Sequence, residues 1–242
     1  MIEASDIRLF GEACVLIDWE VEINPAIHNS VLLLEQCING QFSKDVIETV
    51  PSYHSLAIFL KHDIDARKFI ETIKEELVIN DENFASSTRL ITIPVCYDKA
   101  VAPDFEVVCS HCNLNSGELI KLHTAPIYKT YSLGFLPGFP YLGGLDSKLE
   151  TPRLRKPREI VPKGSVAIGG MQTGIYPAGS PGGWNIIGRT PFSLFDIGRK
   201  QPSLLQPGDA VRFKEITKKQ FASLARKVEN GTYVVAMEVY HD

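Results

Sequence analysis

Glycine and proline are concentrated in one stretch of this chain, and that concentration limits what the stretch can fold into. Residues 126–191 contain 12 of the 18 glycines and 9 of the 15 prolines. Helix interiors tolerate neither residue well, so the stretch must consist of turns, short strands and backbone at unusual angles. It is also rich in aromatic and aliphatic side chains, which disordered segments lack. We therefore expect an ordered, loop-rich β structure here.

This stretch is basic in a chain that is acidic overall. Eight lysines and arginines stand against three acidic residues within 126–191, a balance of +5, whereas the whole chain carries −4. An ordered, basic, loop-rich surface is typical of a site for a small anion, although a turn-rich barrel with incidental charge accounts for the composition equally well. The overall negative charge argues against nucleic acid or an anionic membrane as a partner.

The remaining composition is that of an ordinary globular protein, with 44% hydrophobic and 22% charged residues. We expect no membrane span, because no apolar run in the N-terminal third approaches the roughly 20 residues that crossing a bilayer requires. We also expect no secretory signal within residues 1–20. The odd number of cysteines, five, predicts free thiols in a cytoplasmic protein.

Periodicity and turn signals predict two domains, 1–82 and 89–242, joined by a polar linker at 80–88. The first is expected to be a small α+β domain. Its two helices begin at Asn24-Pro25 and at a capping Asp63. The second is expected to be mostly β, because its strands are short and its turns are frequent. A closed barrel is favoured there, since closure removes exposed strand edges.

Three helices are expected within the second domain. Two short ones lie at about 103–112 and 116–123, before the glycine-rich stretch. The third begins after Thr217, where Gln220 completes a capping box and apolar residues follow at helical spacing.

Four polar residues of the basic stretch have side chains suited to an anionic or amide ligand. Arg158 follows a proline in a run where arginines and prolines alternate, and Arg189 lies between a glycine and a threonine. A guanidinium binds a carboxylate or phosphate with two parallel hydrogen bonds. Gln172 and Tyr176 can hydrogen-bond the edge of a lactam or amide. The alternative is that the charged run is an exposed, solvated surface.

Two glycine-rich segments add aromatic surface to these candidates. In SPGGW at 180–184, Gly182 and Gly183 permit the backbone to approach a ligand or a neighbouring strand closely, and Trp184 supplies apolar contact area and an N–H donor. The alternative is that the segment is only a tight turn held by a core tryptophan. In LPGFPY at 136–141, stiffness and aromatic content favour a partner interface or a pocket wall. The interface candidates are Phe135, Pro137, Phe139 and Tyr141.

Histidine and cysteine provide the remaining candidates. His123 ends a short predicted helix, where it could act as a catalytic proton carrier or cap the helix. The CSHC sequence at 109–112 has redox and zinc-ligand spacing, but it lies late in a predicted helix and has no second pair. We interpret Cys109 and Cys112 as core thiols and expect no metal.

Four ordered sequence blocks resemble the KipI / allophanate hydrolase subunit 1 family, which includes the B subunits of 5-oxoprolinase. They are YSLGFLPGFPYLGGLD at 131–146, TPRLRKPR at 151–158, VPKGSVAIGG at 161–170, and QTGIYP at 172–177 continuing into SPGGW and IGRTP at 187–191. Weaker agreement covers essentially the whole chain, including VPSYHSL at 50–56 and IPVCY at 93–97. One departure is Asp98-Lys99, where relatives often have glycines.

The resemblance implies an α+β domain followed by a cyclophilin-like β-barrel, and it raises Arg158 above its neighbours as a site residue. It implies a cytoplasmic subunit of ATP-dependent 5-oxoprolinase, which opens 5-oxo-L-proline to L-glutamate together with subunits C and A. ATP and Mg would serve the complex, with none bound tightly by this chain alone. The sequence contains no phosphate-binding loop of the G-x-x-x-x-G-K-[ST] type. We therefore expect the chain to be inactive by itself.

Two other functions remain open from the sequence. The KipI name implies an inhibitor of a sporulation-type sensor histidine kinase, in which case the aromatic groove would bind a kinase segment without chemistry. An allophanate or urea carboxylase-type subunit is the other alternative. The same sequence blocks occur with all three functions, so they do not distinguish between them.

Overall fold

The computed structural model describes residues 3–79, 87–233 and 235–241. It divides the chain into two compact units, Met1–Ser86 and Ser87–Asp242. Most of the predicted linker, at 80–86, falls outside the described residues. Within the described part of the chain, no helix is long and apolar enough to cross a membrane.

The first unit is a four-stranded antiparallel sheet with two helices, as the sequence predicts for an α+β domain. The strand order is β1-β2-β4-β3, and residues of both helices and of the strands share one apolar core. The elements are β1 (Asp6–Leu9), β2 (Cys14–Asp18), α1 (Pro25–Gln41), β3 (Val46–Pro51), β4 (Ser55–Leu60) and α2 (Ala66–Glu76).

The helix starts in this unit follow local capping chemistry. α1 begins at Pro25, and the Asn24 side chain accepts a hydrogen bond from the N–H of Ala26 at 2.9 Å, as predicted. The cap predicted for α2 at Asp63 is wrong by two residues. Asp65 is the cap, because its carboxylate accepts from the N–H groups of Arg67 and Lys68 at 2.8 and 3.2 Å.

The described residues of the second unit form an eight-stranded mixed sheet, a separate two-stranded ribbon of Arg158–Val161 and Ser180–Gly182, three α-helices and a short 3-10 helix at Ser147–Leu149. Its α-helices begin and end within a few residues of the predicted positions, and the Thr217–Gln220 capping box is present. The elements are β5 (Ser87–Val95), α3 (Phe105–Cys112), α4 (Ser116–Thr124), β6 (Ile127–Leu133), β7 (Pro140–Gly143), β8 (Arg158–Val161), β9 (Ser165–Gly169), β10 (Gln172–Ile175), β11 (Ser180–Gly182), β12 (Asn185–Arg189), β13 (Ala210–Glu215), α5 (Lys218–Glu229) and β14 (Met237–His241).

The large sheet is open in its strand order, β12-β9-β10-β7-β6-β13-β5-β14, so the closed barrel predicted for this domain is not shown. The physical reason lies at β5. This strand pairs in parallel with β13 on one side, and β14 pairs with residues 87–91 on the other side. That second edge of β5 is therefore already occupied over much of its length.

Two apolar clusters fill the second unit. The larger one joins the sheet to α3 and α4, and the smaller one lies under the glycine-rich loops. The smaller cluster consists of Phe139, Val161, Ala167, Tyr176, Trp184 and Ile186. Since the loops of 126–191 rest on this cluster, they are ordered, as the sequence predicts.

Candidate functional site

The glycine- and proline-rich loops enclose a cavity of about 330 Å³ in the second unit. Five of its eleven lining residues are aromatic, one is an arginine, and none is acidic. The lining residues are Phe135, Phe139, Tyr141, Arg153, Leu154, Pro157, Tyr176, Pro181, Gly182, Gly183 and Trp184. A concave apolar site with few polar groups is typical of small-molecule binding.

The aromatic wall is held together by edge-to-face contacts. The Phe139 ring is at the centre, with its centroid 5.0 Å from Tyr141, 5.2 Å from Tyr176 and 5.6 Å from Trp184, at interplanar angles of 62°, 81° and 88°. Such geometry is favoured over face-to-face stacking because the positive ring edge meets the negative ring face. The wall is therefore rigid before any ligand binds.

Glycines allow these rings to pack directly on neighbouring strands. A Cβ built at Gly169 would lie 2.6 Å from the Trp184 indole, and one at Gly174 would lie 2.9 Å from the Phe139 ring. A Cβ built at Gly182 would likewise lie too close to the Tyr176 ring. The sequence predicts close approach at Gly182, but what approaches it is a side chain of the same wall.

Phe135 projects at the cavity rim from a strained turn. The N–H of Leu136 donates to the carbonyl of Gly134 at 2.6 Å, which closes a γ-turn with Phe135 at its centre and a φ of 62°. A phenylalanine rarely adopts this conformation, and its side chain is 60% exposed. Strain of this kind persists where surrounding structure enforces it, and it is common at ligand sites. Pro137 is exposed on the same loop, outside the lining.

Arg153 lies over the Trp184 ring, with its guanidinium carbon 5.5 Å from the ring centroid. Within the described part of the chain, Arg153 has no carboxylate at ion-pair distance and no hydrogen-bond partner. The cation–π contact positions the guanidinium, and its N–H donors remain available at the cavity. Sequence reasoning missed Arg153 as a site residue. The alternation of arginine and proline at 151–158 was the sequence signal that could have identified it.

Arg158 occupies a different place from the one that the sequence favours. Its guanidinium forms an ion pair with Asp104, whose side chain is only 6% exposed, and it does not line the cavity. The second carboxylate oxygen of Asp104 accepts from the backbone N–H of Ile186 at 2.7 Å. Asp104 thereby connects β8, β12 and the start of α3. An anion-binding role for Arg158 stays a prediction, and this ion pair favours a positioning role.

Two other predicted residues also lie outside the cavity lining. The Nε–H of Arg189 donates to the carbonyl of Lys163 at 2.9 Å, next to the point where β12 meets Cys96. Gln172 begins β10 and pairs with Gly169 across a tight turn. The structure thus brings Tyr176, the SPGGW glycines and Trp184 together with three of the four interface candidates. It places Arg158, Arg189 and Gln172 elsewhere.

His123 is fully buried in the larger apolar cluster of the second unit. The Tyr97 hydroxyl lies 2.7 Å from its Nδ1, and the Thr173 hydroxyl lies 3.0 Å from its Nε2. Thr173 donates its own proton to the Ala167 carbonyl, so Nε2 carries the histidine proton and Nδ1 accepts from Tyr97. Catalysis by His123 stays a prediction. Its enclosed ring, stacked 4.6 Å from Phe213, favours a structural role.

Burial lowers the pKa of His123 to about 3, so acid is expected to destabilise the fold. The unfolded imidazole takes up a proton near pH 6.5, whereas the folded one stays neutral down to about pH 3. Between pH 7 and pH 5 this group alone should remove about 2 kcal/mol from the free energy of unfolding. Urea denaturation at both pH values measures it. A His123→Gln variant should lose about 2 kcal/mol less over that interval, and equal losses would contradict the argument.

The prediction that Cys109 and Cys112 are core thiols is confirmed. All five cysteines are free, Cys109 belongs to the larger cluster, and Cys112 packs against it. Burial raises the pKa of the Cys109 thiol, which is the opposite of what a reactive cysteine needs. Among the described residues, no three histidine, cysteine or acidic side chains are grouped as metal ligands.

The family model for the carboxyltransferase domain, subdomain C and D, matches residues 5–205. The chain belongs to this family. It is 41% identical to the B subunit of 5-oxoprolinase from Escherichia coli O157:H7 over 209 residues, which cover 85% of this chain and 93% of that protein.

Other known proteins are similar to most of this chain. The 5-oxoprolinase B subunit of Bacillus subtilis (strain 168) is 36% identical, with 89% of this chain and 94% of that protein covered. The crystal structure of TTHA0988 superposes with a TM-score of 0.76 at 32% identity, and it covers 87% of this chain. This chain spans 41% of TTHA0988. The urea amidolyase of Saccharomyces cerevisiae is 34% identical over 96% of this chain but only 14% of its own length.

Proposed function

We propose that this chain is the B subunit of an ATP-dependent 5-oxoprolinase that opens 5-oxo-L-proline to L-glutamate together with subunits C and A. The observation that carries the proposal is the similarity to two curated 5-oxoprolinase B subunits over more than nine-tenths of their length. A preformed cavity for a small molecule supports it. A cytoplasmic location is part of the proposal.

The chemistry of the substrate explains why such a reaction needs a complex. Amide resonance stabilises a lactam against attack by water, so coupling to ATP supplies the driving force for ring opening. This chain has no phosphate-binding loop in its sequence, and we assign the ATP and Mg site to the partner subunits. The role of this chain is then to bind and orient the lactam. Exposed Phe135 and Pro137 are proposed to contact a partner.

Co-expression with subunits C and A tests this proposal. The assembled complex is expected to form glutamate from 5-oxo-L-proline only when ATP is present. The purified single chain and a complex lacking it are expected to form none. Robust turnover by the single chain would contradict the composite site, and an assembled complex without glutamate formation would contradict the function.

A urea carboxylase-type role is the second candidate, because a urea amidolyase is similar to nearly the whole of this chain. The same assembled complex distinguishes the two. ATP hydrolysis stimulated by urea and not by 5-oxo-L-proline would favour the second candidate. The 5-oxoprolinase proposal predicts ATP hydrolysis stimulated by 5-oxo-L-proline and not by urea.

We also propose that the two units are the predicted domains 1–82 and 89–242, and that the second is a cyclophilin-like barrel. Support for the barrel comes from the far end of β5. There Cys96 and Arg189 exchange two backbone hydrogen bonds of 2.8 and 2.9 Å, which link the end of β5 to β12. This bridge joins β12, the first strand in the order of the open sheet, to the end of β5, the seventh strand.

A further inference from the structure

We infer that the aromatic cavity binds a small lactam ring that carries a carboxylate, and that Arg153 is the residue that pairs with the carboxylate. The identity of the ring as 5-oxo-L-proline rests on the proposed function. The cavity, the position of Arg153 and the polar group on the wall support the ligand class independently of that name.

Arg153 is the arginine of the 151–158 run that remains available to a ligand. Arg158 is paired with Asp104, and Arg155 is exposed and does not line the cavity. Arg153 lines the cavity and is oriented by the Trp184 ring, with no carboxylate of the described chain within ion-pair distance. A positioned guanidinium loses little freedom when a carboxylate binds to its planar fork.

The walls suit a small ring that carries methylene groups. Phe135, Phe139 and Tyr141 form a continuous aromatic surface, with neighbouring centroids 5.7 and 5.0 Å apart. No lining residue is acidic, so nothing on the wall repels an anion. The methylene groups of a five-membered lactam would lie against these rings, while its carboxylate remains at the rim beside Arg153.

Tyr176 offers a donor for the amide carbonyl. Tyr176 lines the cavity, and no acceptor for its hydroxyl proton lies among the described residues. Tyr176 and Arg153 both line the cavity, and burial raises the pKa of Tyr176, so its hydroxyl stays protonated at neutral pH. A neutral tyrosine can donate to a lactam oxygen while the arginine pairs with the carboxylate.

Steady-state kinetics of the assembled complex test the inference. Arg153→Ala is expected to raise the KM for 5-oxo-L-proline at least about tenfold with a much smaller change in kcat, because it removes a charge-assisted pair with bound substrate. Arg153→Lys should recover part of the affinity. Arg155→Ala, a neighbouring exposed arginine outside the cavity, is the matched control and should leave KM unchanged. If Arg153→Ala and Arg155→Ala have the same KM, the inference is wrong and the proposed function is unaffected.

Ligand binding to the purified chain separates this result from failure of the proposed function. Ligand-observed NMR should detect binding of 5-oxo-L-proline but not of 2-pyrrolidinone, which has the same lactam ring without the carboxylate. Binding should be lost in Arg153→Ala. If the complex proves inactive, the proposed function falls, but carboxylate-dependent binding would still support the site. Equal binding of both compounds, or no binding of either, would overturn the inference.

Discussion

Replacing Gly169 with alanine is expected to dismantle the aromatic cavity. The added Cβ would lie 2.6 Å from the Trp184 indole, so the ring would have to move by about 1 Å to reach ordinary contact distance. Overpacking of this kind costs about 1–3 kcal/mol of stability. Displacement of a cavity wall by about 1 Å should reduce glutamate formation by the assembled complex roughly 100-fold. Near-UV circular dichroism reports the Trp184 environment, and urea denaturation reports the stability.

Gly179→Ala is the matched control for this substitution. Its added Cβ would have only the Val161 carbonyl at 4.0 Å, and its backbone has no left-handed φ. It should therefore change stability by no more than about 0.5 kcal/mol and leave activity near that of the wild type. Normal activity in Gly169→Ala would show that the position of Trp184 is irrelevant to the reaction.

Arg158→Ala is expected to lower the free energy of unfolding by about 2–3 kcal/mol. Removing one partner of a buried ion pair leaves the other charge without compensation, and Asp104 is only 6% exposed. The Arg158 side chain is 30% exposed, so solvent reduces the cost below that of a fully buried pair. The Ile186 N–H remains as a partner of Asp104. Urea denaturation measures this loss directly.

The activity of the same variant tests what Arg158 does for the site. Its neighbour Pro157 lines the cavity, so loosening β8 should disturb the segment that carries Arg153. Arg158→Ala is therefore expected to lower the activity of the complex more than Arg155→Ala, whose side chain is exposed and unpaired among the described residues. A stable Arg158→Ala protein with reduced substrate affinity would instead favour direct anion binding. If Arg158→Ala and Arg155→Ala have equal stability and equal activity, Arg158 neither positions the site nor binds an anion.

Local sequence signals locate most of the secondary structure because they act over a few residues. The Asn24 cap, the Thr217–Gln220 capping box and the apolar spacing of α1 all depend on neighbours within one or two turns. The N-cap of α2, Asp65, differs from the predicted Asp63 by two residues because two aspartates compete there, and backbone hydrogen bonds select between them. The sequence does not reveal β3, because its pattern is short and partly polar.

For the candidate site, the sequence indicates the segments but favours the wrong arginine. The glycine-rich blocks predict Tyr176, Gly182, Gly183 and Trp184, and the structure brings all of them to one cavity. Arg153 and Arg158 differ little in local sequence, since both follow a proline. What separates them is Asp104, which lies 54 residues from Arg158 in the chain and is adjacent to it in the fold.

The sequence by itself determined that 126–191 would be ordered, without α-helix and locally basic, because backbone restriction and charge are properties of the residues themselves. Only the tertiary structure decided which charges are free, which rings form a wall and which edges of β5 are occupied. Those outcomes depend on desolvation and on partners distant in the chain. The same physics made His123 a neutral core residue, since burial lowers its pKa and hydrogen bonds with Tyr97 and Thr173 fix the position of its proton.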